Sequence, residues 1–454
     1  MTTFDVNGKR VTVAGAARSG VAASTLLALR GARVTLSDIR DELPDVEPLG
    51  TLGVTLELGG HRTETFTSAD LVVLSPGVRP DQAAVSAARE RGVPIVGELE
   101  LAFRWLRGRV IAVTGTKGKS TTAELTGRML EAAGFKVAVG GNIGAPLCAQ
   151  VADSTPDTLH VVEASSFQLE QIDTFHPWIA VLLNVSPDHL DRHPTVEAYG
   201  RAKARIFENQ DASDWAVINA DDPSVLALAV RGRASKRHFA SHTSIAEGTV
   251  IENGRMVDRR SGSVERLVPL DVVHLIGPHL VDDVLAAATV GVIAGAPPAA
   301  MTSAVDAFHG LEHAMELVAD IGGVRFVNDS KATNVESARR SIESFDRGLV
   351  PIMGGRFKGG DLRVLRSPLG ARAKAVVVIG EAKALFRDAL SGVVDVRDAS
   401  SFEEAIEQAF ALAKPSGVVL LAPACASFDM FQDYAERGRR FKEEVARLAR
   451  TAVR

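Results

Sequence analysis

The chain lacks the features that mark several large classes of protein. Of its 454 residues only Cys148 and Cys425 are cysteine, and they stand far apart, which fits a reducing compartment and excludes a multi-disulfide framework. There is no excess of positive charge. The 51 Lys and Arg face 56 Asp and Glu, a net charge of −5, so nothing suggests the basic face that nucleic acid or an anionic membrane requires. No long apolar run survives unbroken. The most apolar stretch, 284–300, is rich in alanine and interrupted by Gly291, Gly295, Pro297 and Pro298, which predicts a buried helix rather than a membrane span. Residues 1–10 lack the charged and apolar regions of a secretory leader. A cytoplasmic protein with no membrane insertion and no nucleic-acid partner is expected.

What remains is an ordinary globular composition, 46% apolar and 24% charged. The length suits two to four domains, with three as the working number. The chain is organised around Val110-Ile-Ala-Val-Thr-Gly-Thr-Lys-Gly-Lys-Ser-Thr-Thr122, which reads as strand, phosphate loop and helix. Val110 to Val113 is short and apolar, as a buried parallel strand would be, and helix-forming residues run from Thr121 to Ala133 before Gly134. The loop therefore sits at a helix N-terminus, where free N–H groups and the positive dipole end attract anions. Gly115 and Gly118 let the backbone close on phosphates, Lys119 reaches the terminal ones, and Ser120 or Thr121 would hold Mg²⁺. Val113 stands where the general phosphate-loop pattern has its first glycine.

Upstream, a strand at Arg10 to Ala14, a turn Gly15-Ala-Ala-Arg-Ser-Gly20, a helix and a strand Arg33 to Ser37 make a βαβ start. Asp38 ends the second strand where a dinucleotide fold places its ribose acid. Ala17 opposes that use, because a methyl group obstructs approach to a pyrophosphate; holding a uridine diphosphate tolerates it better. Leu71-Val-Val-Leu-Ser-Pro-Gly77 is either another ligand turn or an ordinary Pro-Gly turn. Downstream of the loop, strands deliver Glu163 and then Asp188, His189 and Asp191 to one sheet edge, where Glu163 could approach a metal on Ser120. Lys203, between Arg201 and Arg205, reads on its own as a solvated surface lysine. The stretch 231–270 suggests β-hairpins. From about Leu311, further strands and helices read as a separate doubly wound domain, with Lys331, Arg356 and Lys358 on loops that could bind a small acid.

Taken together, Thr114-Gly-Thr-Lys-Gly-Lys-Ser-Thr121, Gly141-Asn-Ile-Gly144, Glu163-Ala-Ser-Ser-Phe-Gln-Leu169 and Asn184-Val-Ser-Pro-Asp-His-Leu-Asp191 resemble the Mur ligases over nearly the whole chain. Asn328-Asp-Ser-Lys-Ala-Thr-Asn334 and Pro423-Ala-Cys-Ala-Ser-Phe-Asp429, followed by Arg437-Gly438 and Phe441, are similar to the branch that adds D-glutamate.

The resemblance implies an α/β protein of three domains. Residues 1–97 would form a Rossmann-like domain for the uridine nucleotide. Residues 98–310 would form a phosphate-loop ATPase domain with a mixed, mostly parallel sheet, and 311–454 a Rossmann-like amino-acid domain. It implies ATP-dependent amide formation between UDP-N-acetylmuramoyl-L-alanine and D-glutamate through an acyl phosphate, by a monomer using two Mg²⁺ ions.

By position, ATP would meet Gly115, Thr116, Lys117, Gly118, Lys119, Ser120, Thr121 and Asp329. Ser120, Glu163 and His189 would bind metal, joined by Lys203 once carbamylated by CO₂, and Asn142 would lie near the reacting carboxylate. Ser19, Asp38 and Gly77 would contact the uridine nucleotide. Lys331, Thr333, Lys358, Ser427 and Tyr434 would hold D-glutamate. The chain departs from the family where Leu280 and Asp283 replace asparagines that contact adenine, and where Ala314 replaces a phosphate-contacting arginine; Arg356 is the candidate replacement cation.

Overall fold

The computed structural model describes residues 4–43, 47–189, 192–229, 232–275, 277 and 279–452. The expected metal-edge residue Asp191 lies outside them. The chain divides into two compact units, residues 1–273 with 281–307, and residues 274–280 with 308–454.

The first unit contains two sheets. Strands β1 (Arg10–Ala14), β2 (Arg33–Ser37), β3 (Thr55–Glu57), β4 (Leu71–Leu74) and β5 (Ile95–Gly97) make a parallel sheet in the order β3-β2-β1-β4-β5. The second sheet comprises β6 (Arg109–Thr114), β7 (Lys136–Gly141), β8 (Thr158–Glu163), β9 (Ile179–Leu182), β10 (Trp215–Asn219), β11 (Ser235–Ala240), β12 (Gly248–Glu252), β13 (Arg255–Arg260) and β14 (Ser263–Pro269). Its order is β14-β13-β12-β11-β10-β9-β6-β8-β7. One apolar cluster runs from Val11 and Leu27 through Leu99 and Leu147 to Val162 and Leu182, so the two sheets share a core.

The apolar stretch after residue 283 is helical as expected, within the helix His279–Ala294, with Val284 to Ala288 fully buried. The hairpin expectation for 231–270 holds from Gly248 to Pro269 and fails before it. Strands β12, β13 and β14 pair antiparallel, whereas β11 lies parallel to both β10 and β12. The Asp221 carboxylate explains the difference. It accepts from the N–H groups of Ser241, His242 and Thr243, capturing the backbone just past β11 so that the chain loops out before β12 instead of reversing.

The second unit is a sheet of β15 (Glu316–Ile321), β16 (Val324–Asn328), β17 (Leu349–Gly354), β18 (Val376–Ile379), β19 (Val396–Asp398) and β20 (Val418–Leu421), ordered β15-β16-β20-β17-β18-β19. Separate apolar clusters, one around Ile342, Leu369 and Phe386 and the other around Ile406, Phe441 and Val445, belong to it. The doubly wound expectation is met, with β15 added as an antiparallel edge. No helix among the described residues is long and apolar enough to cross a membrane.

Candidate active site

Register places the chemistry of the first unit at one sheet edge. Val113 on β6 pairs with Glu163 on β8, Gly141 on β7 pairs with the same Glu163, and Thr114 pairs with Leu182 on β9. Four strands therefore stop level with one another, and their following loops converge. β6 leads into the phosphate loop, whose turn ends at Gly118 with a φ of +81°, the cap of the helix Lys119–Ala132. That helix buries Thr122, Leu125, Thr126, Met129 and Leu130, a spacing of three and four residues that fixes one face inward and aims its N-terminus at the edge.

Side chains meet there as the sequence anticipates. The buried Glu163 accepts from Ser120 Oγ at 2.6 Å through Oε2 and from Asn142 Nδ2 at 2.7 Å through Oε1. A carboxylate and a hydroxyl oxygen in contact beside a phosphate loop form a hard donor pair that suits Mg²⁺. Lys119 Nζ donates to Thr116 O at 2.9 Å, which keeps the ammonium folded over the loop. His189 packs edge-on against Phe167 and 6.3 Å from the Tyr199 ring, while Lys203 Nζ sits 4.4 Å from that same ring.

Lys203 corrects the surface reading drawn from its neighbours. It is 1% exposed and donates to Gly115 O at 2.6 Å. Burial pushes its pKa down to about 6, Lys119 adds to that, and Asp188 and Glu163 oppose it. The amine is therefore mostly neutral near pH 7, the form able to react with CO₂.

Two residues with structural parts here were given none from sequence. Asn184 Oδ1 accepts from both Thr116 N and Lys117 N, and its Nδ2 donates to Lys117 O, so one amide fixes the loop's curvature. Its place immediately after a β-strand run was the available signal. The second is Asp283, seen in the sequence only as a departure. A Cβ built on Gly118 would lie 1.9 Å from Asp283 Oδ1, so this carboxyl packs directly on the phosphate-loop glycine. It is buried, and its Oδ2 has no hydrogen-bond partner among the described residues. Desolvation raises its pKa well above the ordinary value, Asp282 adds to the rise, and Lys119 opposes it.

An acid whose folded pKa is raised holds its proton more tightly when folded. Its effect on stability is neutral below the unfolded pKa and turns increasingly unfavourable as pH climbs from there to the folded pKa, by about 1.4 kcal/mol per unit. Asp283→Asn should therefore raise the melting temperature, and by more at pH 8 than at pH 5. Equal shifts at both pH values would contradict the buried neutral acid.

At the N-terminal sheet, the two ligand-turn candidates are tied together by Ser75 Oγ donating to Gly15 O at 2.7 Å. Gly77 is exposed and Ser19 half-buried. The Asp38 carboxylate accepts from Ala16 N at 2.6 Å and pairs with Arg40 at 2.9 Å, and Arg40 holds its pKa far below the usual carboxylate range. Two arginines join this edge to the one that carries Glu163: Arg18 donates to Gly144 O and Arg192 to Pro76 O.

The second unit gathers its own polar edge. The loops after β16, β17 and β20 are tied by Ala424 N donating to Ala332 O and by paired bonds between Arg356 and Ala426. Lys358 Nζ lies 3.5 Å from Thr333 Oγ1. Lys331 and Tyr434 are exposed and Ser427 is buried. Asp329 is buried, with its oxygens engaged by Met315 N and Ser341 Oγ, and burial pushes its pKa up to about 6. Arg356, the candidate replacement cation, pairs with Glu381 at 3.0 Å.

Family models match along the chain: the Mur ligase MurD-like N-terminal domain over residues 9–97, the Mur ligase middle domain over 113–291 and the Mur ligase glutamate ligase domain over 314–425. A UDP-N-acetylmuramoylalanine–D-glutamate ligase of Koribacter versatilis is 44% identical over 449 residues, covering 98% of this chain and 99% of the relative. The enzyme of that name from Geotalea uraniireducens is 44% identical over 98% and 99% of the two chains. Among solved structures, a UDP-N-acetylmuramate–alanine ligase of Thermotoga maritima superposes with a TM-score of 0.59 at 20% identity, over 97% of this chain and 99% of that one. That likeness concerns the fold, which here is the three-domain α/β fold of such ligases. With relatives this similar over nearly their entire length, the chain belongs to the Mur ligase family.

Proposed function

We propose that this protein is an ATP-dependent ligase that joins D-glutamate to UDP-N-acetylmuramoyl-L-alanine in peptidoglycan precursor synthesis. The observation that carries this reading is the near-full-length identity of 44% to ligases of that name, in a chain that keeps Lys119, Glu163, His189 and Lys203.

A carboxylate is a poor acyl donor, and its phosphorylation brings two anions together. The phosphate loop, with Lys119 at a helix N-terminus, supplies fixed positive charge where that crowding occurs. Ser120, Glu163, His189 and a carbamylated Lys203 would hold Mg²⁺, which would offset the remaining phosphate charge. The L-alanyl carboxylate takes the terminal phosphoryl group, leaving ADP. The D-glutamate amine then attacks the acyl carbon, and the tetrahedral intermediate expels phosphate to leave the amide. Asn142, fixed by its bond to Glu163, would orient the acyl group.

Residues 1–97 would take the uridine nucleotide through Ser19, Asp38 and Gly77, 98–310 would be the ATPase domain, and 311–454 would take D-glutamate through Lys331, Thr333, Lys358, Ser427 and Tyr434, with Asp329 toward the ATP ribose. A cytoplasmic monomer is the expected form. The test is phosphate release with ATP, Mg²⁺ and UDP-N-acetylmuramoyl-L-alanine across L- and D-amino acids, with product mass measured. Release that requires D-glutamate is expected. Release with another amino acid would overturn the specificity, and none with any acceptor would overturn the ligase reading.

A further inference from the structure

One buried cation in the second unit has no part in the chemistry above. Arg437, on the helix Tyr434–Ala452, has a relative exposure of 0%. Its Nε donates to Ser330 Oγ at 2.9 Å, its Nη2 to Ser330 O at 2.9 Å and its Nη1 to Cys425 O at 3.3 Å. Ser330 precedes Lys331, and Cys425 lies two residues before Ser427. A single planar fork thus spans the loops after β16 and β20. Ser330 Oγ in turn donates to Tyr434 O at 2.7 Å, which secures the start of the helix to the same point.

The choice of a guanidinium here is informative. Among the described residues no carboxylate pairs with Arg437. Burial lowers its pKa to about 10, with Cys425 and Asp429 opposing, so it stays charged at neutral pH. The Asp429 carboxylate accepts instead from Glu381 N. An unpaired buried charge is costly, and an apolar side chain of similar volume would fill the space without that cost. The fork geometry and the charge are what an apolar residue would not supply. Lys358 and Arg437 both act on the Cys425 thiol, with the Asp429 carboxylate opposing them, so the loop that carries Ser427 is faced by two cations as well as that carboxylate.

We propose that Arg437 is a positioning residue for the amino-acid substrate, its fork locking the Lys331 and Ser427 loops into one surface and setting its own positive charge beneath them. The inference rests on assigning D-glutamate to these loops. It is tested by steady-state kinetics of Arg437→Met, Arg437→Lys and Ser330→Ala, with the Michaelis constants for D-glutamate, ATP and the uridine substrate measured separately and folding checked by thermal melting. Arg437→Met should raise the constant for D-glutamate at least tenfold, with turnover and the other two constants within threefold. Arg437→Lys, which keeps the charge but loses the fork, should fall between, and Ser330→Ala should give a smaller rise in the same constant. A parallel rise in all three constants, or no rise for D-glutamate, would overturn the proposal. Should Arg437→Met fail to fold, Arg437→Lys and Ser330→Ala decide by the same criterion. Wild-type enzyme in the same assay separates the two claims, since absence of D-glutamate-dependent phosphate release there would sink the assignment itself.

Discussion

Lys119→Ala is expected to lower turnover by about 10²-fold or more while leaving the melting temperature nearly unchanged. Removing one fixed donor from a site of developing charge typically costs 10² to 10³ in rate, and a phosphoryl group moving between two anions is such a site. The ammonium bonds to Thr116 O, three residues back in its own loop. That bond lies within one loop and ties no distant segments together, so the structural penalty is small. The loop keeps its shape through Asn184, whose amide bonds Thr116 and Lys117. Loss of rate should therefore appear in turnover measured at saturating ATP. An unchanged turnover would remove the loop from the reaction and with it the proposed phosphorylation step.

Much of this site was legible because parallel strands of one sheet end together. Val113, Glu163 and Leu182 are each the apolar or acidic tail of a β-branched run, and their following residues were expected at one edge, which is where the register puts them. Lys203 was illegible for the opposite reason. Its burial depends on the carbonyl of Gly115, 88 positions away, and on the Tyr199 ring, and neither leaves a mark on the charge pattern of its own helix. Asp283 against Gly118 is likewise a contact between distant segments. Arg437 stood in the sequence only as part of a resemblance, because a helix dense in Arg and Glu gives no sign that one arginine turns inward. The hairpins expected before β12 failed on a single carboxylate, Asp221, whose three backbone acceptances no local turn rule contains.

Lys203→Arg is the sharper test of the second proposed chemistry, and it should be as damaging as Lys203→Ala, each costing about 10²-fold or more in turnover. Loss of a partner outside the metal's direct ligands already costs 10- to 100-fold, so loss of a ligand should cost no less. The argument turns on protonation. With its pKa lowered to about 6, the Lys203 amine is mostly neutral at pH 7.5, against roughly one part in a thousand for an ordinary lysine. In the proposed carbamylation, neutral nitrogen attacks CO₂, forming an N–C bond and releasing a proton, and the neutral amine would become an anionic oxygen donor to join Ser120 and Glu163. Arginine keeps the positive charge at every accessible pH and cannot follow that path. If the buried site needs only a cation over Gly115 O, Lys203→Arg will retain activity and the carbamate proposal falls. If it needs the carbamate, wild-type activity will decline in CO₂-free buffer and return with bicarbonate, a ¹³C-bicarbonate spectrum will show a carbamate carbon absent from both variants, and neither variant will respond to bicarbonate.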